Sequence, residues 1–230
     1  VVPRADRGGV VFLTNGDAFT RAAKEGFDLK QPTDADFVAL GQLRQREAVA
    51  AAHELGVERR DVRFLGFPDW GLTELWRAHW SRAHPYTSPF TREDSPPYSD
   101  AVDTDVDYDG QDLTSVLSHE LRQFRPTVIV MPHPYDRHED HVHTSYFVTE
   151  AVSVLVARGA LASPTILTYL VHFPSWPAVR PPELDRALSI GELRDTRWLG
   201  IDLAPGELAA KRAGLARYKS QLEVMDDDRR

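Results

Sequence analysis

Cysteine is absent from the 230 residues, which excludes disulfides and thiolate metal ligands. Any transition metal must therefore sit on histidine and carboxylate side chains. Lysine is scarce and confined to Lys24, Lys30, Lys211 and Lys219. Acidic residues outnumber basic ones by 35 to 27, a balance that argues against a nucleic-acid partner, because DNA binding draws most of its affinity from basic groups on phosphates. No run approaches the roughly eighteen consecutive apolar residues of a membrane span. No signal-peptide pattern opens the chain, and a cytoplasmic setting is compatible with these absences. Internal repeats and low-complexity tracts are also missing.

What remains is ordinary globular composition, with 42% hydrophobic residues, enough for one domain over 1–230 with a sizeable core. Val10 to Thr14 is a short β-branched run that ends in Asn15-Gly16-Asp17, which reads as a buried strand entering a turn. Asp36 to Leu55 has helical spacing, with Thr33 and Asp34 as caps and Gly56 as a stop. Val62 to Gly66 is the next strand. The stretch from Asp69 to Tyr108 is long and rich in proline, tryptophan, tyrosine and aspartate. Loops of that length are commonly functional lids, so Trp76 and Trp80 are expected to wall a substrate pocket. Asp112 to Phe124 is amphipathic. Thr127 to Met131 is apolar almost throughout, as a central strand covered on both faces would be. Val142 to Ala157 reads as a helix, Ile166 to Val171 as a strand, and Leu208 to Val224 as one final helix. Strands alternating with helices predict an α/β fold, Rossmann-like, with a mainly parallel sheet and helices on both faces. Ligands of such sheets bind beyond the carboxyl ends of the strands.

The segment from His133 to His143 holds four of the nine histidines and three carboxylates. It follows the apolar Thr127–Met131 strand directly. Imidazole and carboxylate are the usual ligands for zinc and iron where thiols are lacking. A metal with an open position lowers the pKa of its bound water and polarises a carbonyl. A neighbouring carboxylate serves as base, and a histidine beside the site stabilises an oxyanion. Asp140 is expected to raise and orient such a histidine. The bland alternative is a solvated turn in which Asp136 or Asp140 merely caps a helix, with His143 packed inside.

Several blocks, in order along the chain, resemble the PIG-L/LmbE-like de-N-acetylases. They are Val11 to Asp17, Arg44 to Ala48, Phe64 to Leu72, Arg125 to Ile129 followed by His138-Glu139-Asp140-His141, and Lys211 to Ala213 with Tyr218 to Gln221. The resemblance implies a zinc-dependent hydrolase acting on a small-molecule amino sugar, with Zn2+ as cofactor. It implies His141 as a metal ligand, His138 as the oxyanion-stabilising histidine and Asp140 as its orienting carboxylate. It further implies Arg44, Asp69 and Asp17 as substrate-binding residues. The family's strand ending in Ala-His-Pro-Asp-Asp-Glu, which supplies two zinc ligands and the general base, has no counterpart in this sequence. The expectation is that this strand and first metal-binding motif lie upstream of Val1, and that the chain alone binds zinc poorly. Homo-oligomerisation stays open. Two other readings compete. One is an iron oxygenase using His138, Asp140 and a distant ligand such as His172. The other is a non-catalytic carbohydrate-binding protein.

Overall fold

A computed structural model describes residues 7–173, 193 and 196–225; the opening Val1 to Asp6 lies outside them. Two pairs of parallel strands are flanked by helices. β1 (Val10–Thr14) pairs with β2 (Val62–Phe67), and β3 (Val128–Pro132) pairs with β4 (Thr165–Tyr169). The β1–β2 register slips between Phe12 and Thr14. The slip sits opposite Gly66, whose φ of +75° is open to glycine and strained for other residues.

Helices cover both faces of β2, and strand periodicity decides which residue meets which helix. Val62 and Phe64 face α2 (Asp34–Glu54), meeting Ala48 and Ala52. Leu65 and Phe67 turn the other way, towards α4 (Gly110–Phe124) and α5 (Glu139–Ala157). The start of α2 is closed by Asp36, whose carboxylate accepts the Thr33 N–H at 2.8 Å. Its end is closed by Gly56 at φ +77°. Asp109 caps α4 by accepting the Asp112 N–H at 2.8 Å.

The long segment after β2 is not a loose lid. It begins with a short helix, α3 (Leu72–Arg77). It then runs along the outer edge of β2, where the Val102 N–H donates to the Phe64 carbonyl at 2.8 Å. Trp76 and Trp80 pack edge-on and face-on against the fully buried Phe147 of α5. Partly buried, they pack against the core, because α5 offers them a large apolar ring to stack on. A seven-residue helix, α1 (Thr20–Gly26), which the spacing does not predict, lies between β1 and α2.

The single C-terminal helix expected from the sequence is two, α6 (Pro205–Leu215) and α7 (Lys219–Leu222). The break lets Ser220 dock on α2, donating its N–H to Glu47 Oε1 at 2.8 Å and its hydroxyl to Oε2 at 2.6 Å. No helix among the described residues is long and apolar enough to cross a membrane.

Between the two strand pairs lies a cleft of about 860 Å³ lined by β1, β3, α4 and α5. The inner edges of β1 and β3 have no strand partner among the described residues. Val130, expected to be covered, is 62% exposed here.

Candidate active site

Two strand ends and one helix start meet at the carboxyl edge of the cleft. His138 is the N-cap of α5, and His141 lies in its first turn. The spacing of three places both imidazoles on one face, with ring centroids 4.8 Å apart. His172, just past β4, completes a triangle at 5.6 Å from His138 and 5.3 Å from His141.

Asp136 ties these pieces together. One carboxylate oxygen accepts the His138 N–H at 2.9 Å. The other accepts the N–H groups of Val171 and His172 at 2.9 and 3.0 Å. Burial works to raise the pKa of Asp136, but the N–H donors outweigh it and hold the carboxyl below its ordinary range. His141 Nδ1 lies 3.2 Å from this carboxylate and helps to hold its pKa down. The Nδ1 atom of His138 is buried with no hydrogen-bond partner. Such an atom is rare in folded proteins and is explained by a catalytic role, a bound water or an ion.

Asp140 does not orient His138. Its oxygens accept the N–H groups of Trp70 at 2.7 Å and Leu72 at 3.3 Å, because its side chain turns towards the β2–α3 corner. Burial, and then the neighbouring Asp69, push its pKa upward. The basicity of His138 is lowered rather than raised, first by burial and then by the neighbouring His141.

Asp69 accepts the Ala18 N–H at 3.0 Å and sits against Asp140. Asp17 is buried and accepts a hydrogen bond from the Tyr98 hydroxyl. Burial, reinforced by Asp69, raises its pKa to about 7. Arg44 donates to the Gly16 carbonyl, while its Nε is buried without a partner. Burial also lowers the pKa of Arg44, against the opposing attraction of Asp69, Glu47 and Asp17.

All six residues singled out from the sequence thus gather at this edge, in two linked groups. His138, His141 and Asp140 stand on α5, while Asp17, Arg44 and Asp69 lie behind the β1 and β2 ends. His143 is instead packed, its Nδ1 within 2.8 Å of the Glu139 carbonyl and 3.0 Å of the Thr73 hydroxyl. The role of Asp136 was legible only as a helix cap. Its position two residues before His138 is the spacing at which aspartate accepts a backbone N–H. His172, named from the sequence only as a distant ligand in the iron-oxygenase reading, stands beside both rings, whereas Asp140 of that set turns to the β2–α3 corner.

The donors suit zinc in kind, since imidazole and carboxylate are its ligands in thiol-free sites. They do not suffice in arrangement: no group of three His, Asp or Glu side chains among the described residues is disposed to hold a metal ion by itself.

No curated protein matches this chain. Among solved structures, the conserved protein TT1542 from Thermus thermophilus is similar at 18% identity with a TM-score of 0.52, over 97% of this chain and 70% of that one. That likeness concerns the fold. The family model for GlcNAc-PI de-N-acetylase, PIG-L, matches residues 4–152, a span that includes every site residue above except Val171 and His172.

Proposed function

The chain belongs to the GlcNAc-PI de-N-acetylase (PIG-L) family of deacetylase-type hydrolases, and on that footing we propose that it removes the N-acetyl group from an N-acetylglucosamine-type sugar or glycoconjugate in a zinc-dependent reaction. The observation that carries this reading is the pair of adjacent imidazoles of His138 and His141, with ring centroids 4.8 Å apart, at the carboxyl edge of parallel strands. His141 holds the metal, steadied by the Asp136 carboxylate beside it. His138, on the same helix face, hydrogen-bonds to the amide oxygen as it gains negative charge. Arg44 and Asp69 receive the sugar hydroxyls, one donating and one accepting, with Asp17 behind them. Zinc, when bound, polarises the acetamide carbonyl and lowers the pKa of its water.

The remaining ligands and the general base belong, in this reading, to a strand of the same protein that precedes β1 and seats between β1 and β3. Support comes from the cleft. Both inner strand edges lack a partner among the described residues, and Asp140 and His141 line the same cleft. A strand there would satisfy both edges and bring its last side chains to the histidines.

The experiment is acetate release from N-acetylglucosaminides by the protein as the cell makes it, with its metal counted by mass spectrometry. We expect about one zinc per protein, with activity removed by a chelator and restored by zinc. Sugar binding by a metal-free protein that releases no acetate replaces the hydrolase with a carbohydrate-binding module.

A further inference from the structure

Trp70 occupies the corner between β2 and α3 with a backbone φ of +61°. A bulky side chain enters that left-handed region only when its surroundings impose it. Here the imposing contact is Asp140, which accepts the Trp70 N–H at 2.7 Å and the Leu72 N–H beyond it. Burial of the indole does not offset the strain, because Trp70 is 52% exposed. Trp76 and Trp80, a few residues on, cover Phe147 instead. The Trp70 ring stands 4.8 Å from the His138 ring, tilted by 42°. A large apolar ring is thus held in a costly conformation, open to solvent and against an imidazole whose Nδ1 has no hydrogen-bond partner. Strain of this sort at a site edge points from the outlier to a use.

We propose that Trp70 is the stacking platform for the substrate's pyranose ring, taking the sugar's apolar C–H face on the indole while the acetamide lies at His138. The inference rests on the amino-sugar hydrolase reading and assigns the residue that grips the sugar rather than the one that cleaves the amide. Indole suits this task because it offers a broad, rigid apolar surface whose negative face attracts C–H groups.

The test is equilibrium binding of methyl N-acetyl-β-D-glucosaminide, followed by saturation-transfer NMR and calorimetry, with thermal melting measured on the same samples. Trp70→Gly is expected to weaken binding about tenfold. Its melting temperature should stay level or rise, since glycine adopts the left-handed region freely. Trp70→Phe keeps a stacking face and should stay within about threefold of the parent affinity. An unchanged affinity in Trp70→Gly, with a lower melting temperature, makes Trp70 a structural residue and overturns the proposal. So does an affinity in the parent protein no greater for the glycoside than for acetamide alone. The hydrolase reading fails separately. A protein that binds the sugar through Trp70 yet releases no acetate sinks the hydrolase and leaves the platform standing. Acetate release with a KM untouched in Trp70→Gly does the reverse.

Discussion

β2 and β3 read alike as sequences, two short apolar strands each followed by a polar turn, yet the fold treats them differently. β2 is buried along almost its whole length. It has β1 on one edge, the Ala101–Val102 segment on the other, and helices on both faces. β3 has β4 on one edge and the open cleft on the other, and its central Val130 is largely exposed. Apolar composition records what a strand is suited to bury. Whether it is buried depends on what lies on its second edge. The β2 half carries the packing, and the β3 half carries the histidines. The aromatic segment repeats the contrast on a smaller scale, with Trp76 and Trp80 packed against the core and Trp70 left at the site.

The division between a reactive half and a packed half can be broken in several ways. The largest effect is expected from His141→Ala, which should cut zinc-dependent acetate release by more than about a hundredfold. It should shift the melting temperature of metal-free protein by no more than about 2 °C. A collapse of the fold would show that His141 is a packing residue. Next comes Trp80→Ala, which removes the ring stacked on Phe147. It should cost about 3–5 kcal/mol, read as a fall of roughly 10 °C in melting temperature, with KM unchanged in the folded fraction. A raised KM in a protein of undiminished stability would return Trp80 to a pocket wall.

Asp17 supplies a pH test of how dry the ground behind the β1 end is. Its folded pKa is raised to about 7 from an ordinary 3.8, so between those values the native state holds a proton that the unfolded state has lost. The wild type should therefore lose stability as pH climbs through that window, and no further loss should come from this group above it. Asp17→Asn cannot ionise. The melting temperature of the variant, relative to the wild type, should rise from about pH 4 to about pH 7 and then level off. A difference that is flat with pH would mean that Asp17 is solvated. The smallest effect is the most direct comparison. Val62→Thr in buried β2 should cost about 1–3 kcal/mol, and Val130→Thr in β3 less than about 0.5 kcal/mol, in urea unfolding of this chain. Equal costs would mean that the cleft is covered.

The α/β class, the parallel strands and the main helices were legible from the residues, because strand and helix periodicities and end signals act within a few positions. The two imidazoles were legible as part of a histidine cluster past a strand end, but the helix expected from Val142 starts at Glu139, and that earlier start puts both rings on one face. Legibility failed where the deciding partner is remote. Ser220 breaks the last helix because Glu47 waits for it on α2. Asp140 bonds the β2–α3 corner rather than His138. His172 arrives beside the other rings only because Asp136 holds the end of β4.

By itself, then, the sequence determined the four strands, the long helices and which side chains have the chemistry to bind a metal and a sugar, since local sterics and donor type are properties of neighbouring residues. Only the tertiary structure decided which tryptophan faces solvent, which carboxylate steadies which histidine, and that β1 and β3 leave a cleft between them. Those outcomes depend on surfaces brought together from positions tens of residues apart, where burial and hydrogen-bond satisfaction are settled jointly.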